Sequence, residues 1–319
     1  MKSKRKMILV CLTVLLMSVF SSFSNGYVNA EESDFDTHLG VSPMNESVIL
    51  NPGDVYRGSF NVNNPGYSEK EISYYTSIGP FYVDENYNPL YENVDKKSDI
   101  AEWITITSGA TGTLKPNDVT KVEFQINIPE TAPAGGQYAE ISVTVDLSSD
   151  EGKEGINIGE SMSIGHVILV EITGDSISSG EILNAGVNSF LLGGNITAYS
   201  TVENTGNVHG QAIYRLKVYP LFSDTPIYSN EGEEEKQYIL PGRKYSGESV
   251  WLDTPMVGIF NVEYTVQFMG SESVVKGMVI VCPWWLLILI IMGLILMILR
   301  IITLVKLQRM HKHQKDLNI

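Results

Sequence analysis

Side chains able to act as catalysts or metal ligands are sparse in this sequence. Three histidines, His38, His166 and His209, lie between residues 31 and 282, and no two of them have the His-x-x-x-His spacing of a metal site. We expect them at surface or edge positions. No Gly-x-Ser-x-Gly motif offers a serine nucleophile, and the chain has only two cysteines. We therefore expect a protein that is not an enzyme and that uses no metal or cofactor.

One acidic segment imitates the start of a calcium loop. Asp84-Glu85-Asn86-Tyr87-Asn88 places carboxylate and amide side chains at alternating positions, as an EF-hand loop does. Pro89 stands where such a loop needs glycine, and Asp95 stands where it needs its closing glutamate. We expect this segment to form the tip of a β-hairpin.

Four aromatic residues are concentrated around that segment, namely Phe81, Tyr82, Tyr87 and Tyr91. Aromatic rings offer a large contact area, and tyrosine loses little side-chain freedom on binding, so these residues are candidate binding residues for a sugar or a protein partner. The alternative is that the rings cover the end of a folded domain, since aromatic side chains are often buried. The sequence leaves both interpretations open.

Alternation of apolar and polar residues dominates the middle of the chain. It is clearest in Val122–Ile128, Ile141–Leu147, Tyr214–Val218 and Val262–Phe268. This period of two predicts strands with one buried and one wet face. Turn sequences such as Asn51-Pro52-Gly53-Asp54 separate the runs. We predict an all-β fold of two tandem Ig-like β-sandwich domains, followed by one transmembrane helix.

The two predicted domains repeat a common pattern. Asn63-Asn64-Pro65-Gly66 follows a predicted strand that ends in Phe60-Asn61-Val62, and Glu203-Asn204-Thr205-Gly206 follows one that ends in Ser200-Thr201-Val202. Further along, Leu114-Lys115-Pro116 matches Leu240-Pro241-Gly242. The distance between the paired motifs is longer in the first domain, which predicts an insertion of about 14 residues there.

The insertion falls within Gly79–Ala101 and includes the four aromatic residues. We place the first domain at residues 34–173 and the second at residues 174–282. Because no proline-rich linker separates them, we expect the two domains to pack closely.

The N-terminal residues 1–30 are typical of a secretory signal peptide. A basic segment precedes the apolar run Met7–Phe20, and small residues at Val28 and Ala30 suit cleavage after Ala30. The mature chain would then lie outside the cell.

A second apolar segment lies near the C-terminus. No charged residue occurs in Gly277–Leu299, and Pro283 is tolerated in the first turn of a helix. We predict a transmembrane helix at residues 283–305, with Trp284 at the membrane interface. The tail, residues 306–319, is basic, which predicts a cytoplasmic C-terminus and an extracellular ectodomain.

Charge and cysteine content limit the partners and the source. The chain has 22 Lys and Arg against 37 Asp and Glu, and many of the basic residues lie in its two terminal segments. So acidic an ectodomain argues against nucleic acid as a partner. An exported ectodomain without disulfides is typical of bacteria more than of eukaryotes.

Several motifs of the first domain are similar to one known family. They are Gly40-Val41-Ser42-Pro43, Leu50-Asn51-Pro52-Gly53-Asp54, Phe60-Asn61-Val62-Asn63-Asn64, Asp84 to Tyr91, and Ala134-Gly135-Gly136. In this order, and followed by a second β-domain and a Trp-rich span, they resemble the WxL-interacting surface proteins of Gram-positive bacteria (the DUF916 and DUF3324 type). The resemblance implies a cell-surface complex, with the first domain near peptidoglycan and the second near host or partner proteins. No binding residue is assigned from it.

The leading functional hypothesis is a single-pass cell-membrane protein that acts as a surface scaffold or in adhesion. Its expected partners are other cell-surface proteins or peptidoglycan. The alternative is a carbohydrate-binding accessory module for peptidoglycan or another wall polymer.

Overall fold

The computed structural model describes residues 39–65, 71–85, 87–90, 100–146 and 161–316. Within them the chain forms twenty β-strands and two helices. The predicted signal peptide, the candidate residue Tyr91 and Asp95 of the calcium-like segment lie outside the described residues.

The first domain is a sandwich of two sheets. One sheet has the strand order β1-β3-β9-β7, the other has the order β2-β11-β10-β4-β8, and β5 pairs with β6 in a separate hairpin. The pairing is antiparallel except between β2 and β11, which run parallel. The elements are Gly40–Ser42 (β1), Asn45–Leu50 (β2), Val55–Asn63 (β3), Ile72–Pro80 (β4), Tyr82–Val83 (β5), Pro89–Leu90 (β6), Ile100–Trp103 (α1), Ile104–Ser108 (β7), Thr111–Leu114 (β8), Val119–Asn127 (β9), Gly135–Asp146 (β10) and Ser161–Ile172 (β11).

The core of this domain follows the sequence alternation. In β9, Val122, Phe124 and Ile126 are buried, while Glu123 between them is exposed. They meet the inward residues of β10, such as Ile141, in one continuous apolar cluster. Burying each such side chain contributes about 1.5–3 kcal/mol, which is why period-two runs specify the face that a strand buries.

The second domain repeats this plan with fewer strands in one sheet. A three-stranded sheet has the order β12-β14-β18, and the facing sheet has the order β13-β20-β19-β15, with β16 and β17 both pairing with β15. The strands are Gly180–Val187 (β12), Phe190–Leu191 (β13), Ile196–Asn204 (β14), Gly210–Pro220 (β15), Tyr228–Ser229 (β16), Glu235–Ile239 (β17), Lys244–Trp251 (β18), Gly258–Phe268 (β19) and Ser271–Val281 (β20).

The core of the second domain is aromatic-rich. Tyr264 and Phe268 of β19 are fully buried and belong to the same apolar cluster as Ile196 of β14 and Trp251 of β18. The Tyr264 hydroxyl lies 2.9 Å from the Ser200 hydroxyl, so the polar end of this buried ring has a hydrogen-bond partner.

The internal repeat is visible in two equivalent turns. The amide N of Asn117 donates to the carbonyl O of Asn64, and the amide N of Gly242 donates to that of Asn204. Asn117 and Gly242 have nearly the same left-handed φ, 68° and 67°. Asparagine and glycine are the residues that adopt this conformation most easily, so the two turns have the same backbone conformation with a different residue at this position.

The predicted alignment of the repeat is wrong by one residue. The side-chain amide of Asn64 donates to the carbonyl O of Leu114, whereas that of Asn204 donates to Ile239. Leu114 therefore corresponds to Ile239, and Leu240 already lies in the turn. The spacings are 50 and 35 positions, so the insertion is fifteen residues.

A long apolar helix follows the second domain directly. Helix α2, Trp284–Asp316, begins just after Pro283, and Trp284–Gln308 is long and apolar enough to cross a membrane, with none of it buried in the protein. It continues beyond the predicted end at residue 305 because neither glycine nor proline interrupts residues 306–316. The predicted fold class is confirmed: two tandem Ig-like β-sandwich domains and one apolar helix that is a candidate span.

Candidate functional site: the junction between the two domains

The insertion of the first domain forms a hairpin on the outer face of a sheet. In β10 the side chain of Ala139 points into the sandwich, so its neighbour Tyr138 points out. Tyr138 is nevertheless buried, in an apolar cluster with Val83 of β5, Leu169 of β11 and Leu240 of the second domain. The insertion therefore helps to build a small core that both domains share.

Tyr87, at the tip of the hairpin, makes two hydrogen bonds to the second domain. Its hydroxyl donates to the carbonyl O of Tyr238 at 2.7 Å and accepts from the amide N of Leu240 at 2.6 Å. Its ring meets the ring of Tyr245 edge-on, with 5.2 Å between the centroids. Burial raises the pKa of Tyr87, which keeps the hydroxyl protonated and able to donate.

The acidic segment that resembles a calcium loop serves this hairpin. The carboxylate of Asp84 accepts from both the amide N and the side-chain amide of Asn88, at 2.8 and 2.9 Å. These bonds close the turn in which Tyr87 adopts a left-handed φ of 68°. Among the described residues, no group of three His, Cys, Asp or Glu side chains is arranged to hold a metal ion.

A loop of the second domain fastens the other side of the junction. The carbonyl O of Asn207 accepts from the amide N of Gly136, at 2.8 Å. Its side chain accepts from the amide N of Ile177 at 2.6 Å and donates to the carbonyl O of Asp175 at 2.9 Å. Asn207 thus binds the first domain and the segment between the domains together. Gly135 has a φ of 114°, and a Cβ there would lie 3.1 Å from the carbonyl O of Asn207, so glycine suits this close approach.

His209 lies between aromatic rings of the two domains. Its ring centroid is 5.6 Å from that of Tyr138 and 5.6 Å from that of Tyr238, both in edge-on geometry. Its Nε2 and the Ser47 hydroxyl form a 2.7 Å hydrogen bond. Burial lowers the pKa of His209 to about 4, so the imidazole is neutral near pH 7. A neutral ring fits this largely apolar position without a counter-ion.

The four aromatic residues that are candidate binding residues do not all have the same surroundings. Phe81 and Tyr87 pack into the shared cluster. These two rings therefore cover a surface of the first domain, but that surface faces the second domain and not solvent. Tyr82 pairs with Leu90 in the hairpin and is half-buried. Tyr91 lies outside the described residues. Binding of an external partner by Tyr82 and Tyr91 stays a prediction.

The expectation that the histidines lie at surface or edge positions is wrong for His166. It is completely buried, stacks on Phe60 with 4.6 Å between ring centroids, and its Nδ1 lies 2.8 Å from the carbonyl O of Pro43. Its Nε2 lies 3.7 Å from a carboxylate oxygen of Glu46, whose other oxygen accepts from the Tyr56 hydroxyl. The hydrogen bond at Nδ1 and the stacking on Phe60 offset part of the cost of burying the imidazole.

The pKa values in this cluster follow from its contacts. Burial raises the pKa of Glu46, but the nearby imidazole of His166 and the hydrogen bond from Tyr56 outweigh it, so the net shift is downward. Burial and the adjacent Glu46 carboxylate raise the pKa of Tyr56 to about 12. Inside the core, this cluster connects β2, β3 and β11 and serves packing.

The acidic loop of the second domain is engaged in ion pairs. Arg215 Nε lies 3.2 Å from Glu234, and Lys217 Nζ lies 2.6 Å from Glu231. These residues line a shallow polar groove on the outer face of the sheet that contains β15 and β19. Four glutamates and two basic residues line the groove, so the two ion pairs leave a net negative charge there.

Comparison with known proteins gives a likeness in fold only. No protein-family model matches the chain, and no curated protein matches it either. Among solved structures, a chain of the Salmonella enterica SafA pilin complex with the SafB chaperone is 12% identical, with a TM-score of 0.35, and the match covers 76% of this chain and 96% of that one. The E. coli chaperone DraB is 14% identical, with a TM-score of 0.34 and coverage of 76% and 97%. The class 5 fimbriae chaperone CfaA is 10% identical, with a TM-score of 0.34 and coverage of 76% and 99%. Similarity this low is limited to the Ig-like sandwich architecture. It gives no information about the function of this chain.

Proposed function

We propose that this protein is a membrane-anchored bacterial cell-surface scaffold or adhesion protein without enzymatic activity. In this proposal its Ig-like domains bind partner proteins as part of a cell-wall-associated surface complex. The observation that carries it is the junction, where Tyr87, Asn207 and His209 connect the two domains. Only Cys282 and Pro283 separate β20 from α2. A chain built in this way presents its first domain at a set angle from the membrane.

The proposed orientation has the ectodomain outside the cell and the C-terminus in the cytoplasm. It is supported by the basic residues Lys306, Arg309, Lys312 and Lys315 beyond the apolar segment, since cytoplasmic flanks of membrane helices are rich in lysine and arginine. The signal peptide, residues 1–30, is removed in this scheme. Membership of the WxL-interacting surface proteins is part of the same proposal, and the motifs of the first domain support it.

The orientation has a direct experiment. N-terminal sequencing of the mature protein is expected to begin at Glu31, and protease added to intact cells is expected to digest the ectodomain and spare the C-terminal tail. A mature chain that begins at Met1, or a tail digested in intact cells, contradicts the scheme.

A second candidate function is binding of peptidoglycan or another wall polymer. Tyr82, half-buried in the hairpin, favours it, as does the presence of Tyr91 nine positions later in the sequence, because tyrosine rings stack on sugars. The strong negative charge of the ectodomain opposes direct binding of anionic wall polymers, so we rank protein partners first.

One experiment separates the two functions. Full-length protein in lipid nanodiscs is mixed either with purified peptidoglycan sacculi, and the pellet assayed, or with solubilised cell-surface proteins, and the cross-linked products identified. We expect protein cross-links that are reduced in Tyr82→Ser and unchanged in the control Tyr199→Ser, whose ring lies in the second domain. Sedimentation with sacculi alone favours the second function, and binding to neither contradicts both.

A further inference from the structure

Three loops at one end of the second domain carry exposed apolar side chains. Leu192 follows β13, Phe222 follows β15, and Leu252, Met256 and Val257 lie between β18 and β19. Phe222 is 97% exposed, Leu252 75% and Met256 68%, and the other two are about half exposed. Large apolar side chains grouped in this way mark an interaction surface. We call these five residues the apolar rim.

Strand pairing puts the apolar rim at the end of the domain from which α2 leaves. Gly258, which directly follows the loop of Met256 and Val257, pairs with Val281, the last residue of β20. The Phe222 loop lies at the same end, since the side chain of Asn261 donates to the carbonyl O of Leu221 at 3.4 Å.

The Leu192 loop is bonded directly to the start of α2. The amide N of Cys282 donates to the carbonyl O of Leu191 at 2.9 Å, and that of Trp284 donates to the carbonyl O of Leu192 at 3.2 Å. Trp284 and Trp285, the first two residues of α2, are themselves exposed. Tryptophan at the end of an apolar helix is typical of the membrane interface. A bilayer that meets Trp284 therefore also meets the loops around it.

Charge is scarce in these loops, although the ectodomain as a whole is strongly acidic. Residues 188–195, 221–227 and 252–257 contain no lysine or arginine, and Asp224 and Asp253 are their only charged residues. Loops that face water normally carry polar and charged residues. Apolar side chains with few charges instead suit the boundary between lipid headgroups and acyl chains.

We infer that the apolar rim inserts into the lipid interface of the bilayer that α2 crosses, on the side of the ectodomain. This inference rests on the membrane anchoring in the proposed function. The second domain then has four attachments to the membrane, the helix and three loops, and it does not rotate freely about the Cys282–Pro283 connection. We expect lipid to cover the apolar rim because its three loops lie at the end of the domain from which α2 leaves, and one of them is bonded to the start of that helix.

Nitroxide labels in the full-length protein in nanodiscs test the inference. Cys11 and Cys282 are first replaced by alanine, and single cysteines are then introduced as Phe222→Cys and Met256→Cys. The controls are Ile295→Cys, within α2, and Val119→Cys, an exposed apolar residue of the first domain. Collision with oxygen, which concentrates in lipid, is compared with collision with a water-soluble nickel chelate.

We expect the oxygen-to-nickel ratio at positions 222 and 256 to lie several-fold above that at 119 and below that at 295. If 295 reads as lipid but 222 and 256 read like 119, the rim inference is wrong while the anchoring stands. If 295 also reads as water, the anchoring fails and the inference fails with it. Labels at 222 and 256 that are immobile and shielded from both reagents reveal a protein partner or a second copy on the rim, which also overturns the inference.

Discussion

The hydroxyl group of Tyr87 in the first domain donates a 2.7 Å hydrogen bond to the carbonyl oxygen of Tyr238 in the second domain. The same hydroxyl accepts from the amide N of Leu240, two residues further on. Tyr238 lies near the end of β17 and Leu240 directly follows that strand, and one side chain reaches the main-chain groups of both residues. The insertion, which the second domain lacks, thus carries at its hairpin tip a residue that connects the two domains.

We expect the two β-sandwich domains to fold without the helix. Residues 34–281, expressed alone, are expected to be soluble and free of disulfides because the two sandwich cores are complete within them. Far-UV circular dichroism should show a β-type spectrum. A spectrum dominated by helix contradicts this expectation.

The hydroxyl of Tyr87 contributes to stability. Tyr87→Phe keeps the ring but leaves the main-chain groups of Tyr238 and Leu240 without that partner, at a cost of about 1–3 kcal/mol. Chemical denaturation of the ectodomain measures the loss. The control is Tyr199→Phe, at a ring that is 42% exposed, for which we expect a change within about 0.5 kcal/mol. Equal effects of the two substitutions would argue against a stabilising role of the Tyr87 hydroxyl.

Removing whole rings separates the roles of two tyrosines in the insertion. Tyr87→Ser should lower the free energy of unfolding by about 3 kcal/mol or more, because a ring packed between the domains is lost. Tyr82→Ser should change it by less than about 1 kcal/mol and should weaken partner binding. Denaturation curves and the cross-linking assay give the two readouts. A large loss of stability in Tyr82→Ser would assign that ring to the core as well.

Acid should weaken the junction through His209. Its pKa is about 4 in the folded protein against an ordinary value of 6.5, so the unfolded chain binds more protons between those values. The contribution of His209 to the free energy of unfolding is complete above about pH 6.5. It is lost as pH falls towards 4, by at most about 3 kcal/mol. His209→Gln cannot titrate, so its unfolding free energy should fall less than that of the wild type across this range. Parallel pH profiles of the two proteins would remove His209 as the cause.

Asn204 should be one of the least replaceable polar residues of the second domain. Its buried side chain donates to the carbonyl groups of Val208 and Ile239, each at 2.8 Å, and accepts from the amide N of Gly206. Asn204→Ala leaves the carbonyl groups of Val208 and Ile239 without this donor, at a cost of roughly 2–4 kcal/mol. Thermal unfolding should show the loss, and the exposed Asn195→Ala should show none. Similar melting temperatures for both variants would refute this role.

Local sequence patterns were sufficient to predict the sandwiches. The alternation in Val122–Ile128 corresponds to β9, and that in Val262–Phe268 falls within β19, because one face of each strand is buried. The start of α2 after Pro283 was predictable for a similarly local reason, since proline fits the first turn of a helix.

The junction could not be predicted in this way, because its partners are far apart in the sequence. Tyr87 and Tyr238 are separated by 151 positions, and Ser47 and His209 by 162. The aromatic insertion was recognisable as unusual, but no local signal indicated that Tyr87 would meet the second domain. The burial of His166 likewise depends on Pro43 and Glu46, which only the folded sheets bring to it.

The parallel pairing of β13 with β20 determines how the second domain resists a pulling force. Both strands run towards the start of α2, and β20 continues into that helix. Tension between the first domain and α2, as in the proposed membrane-anchored protein, pulls β13 and β20 in opposite directions, so the load acts along the strands. The hydrogen bonds at Ile280, Cys282 and Trp284 are then sheared together and cannot open one after another. The connection between the second domain and α2 is thus suited to bear load.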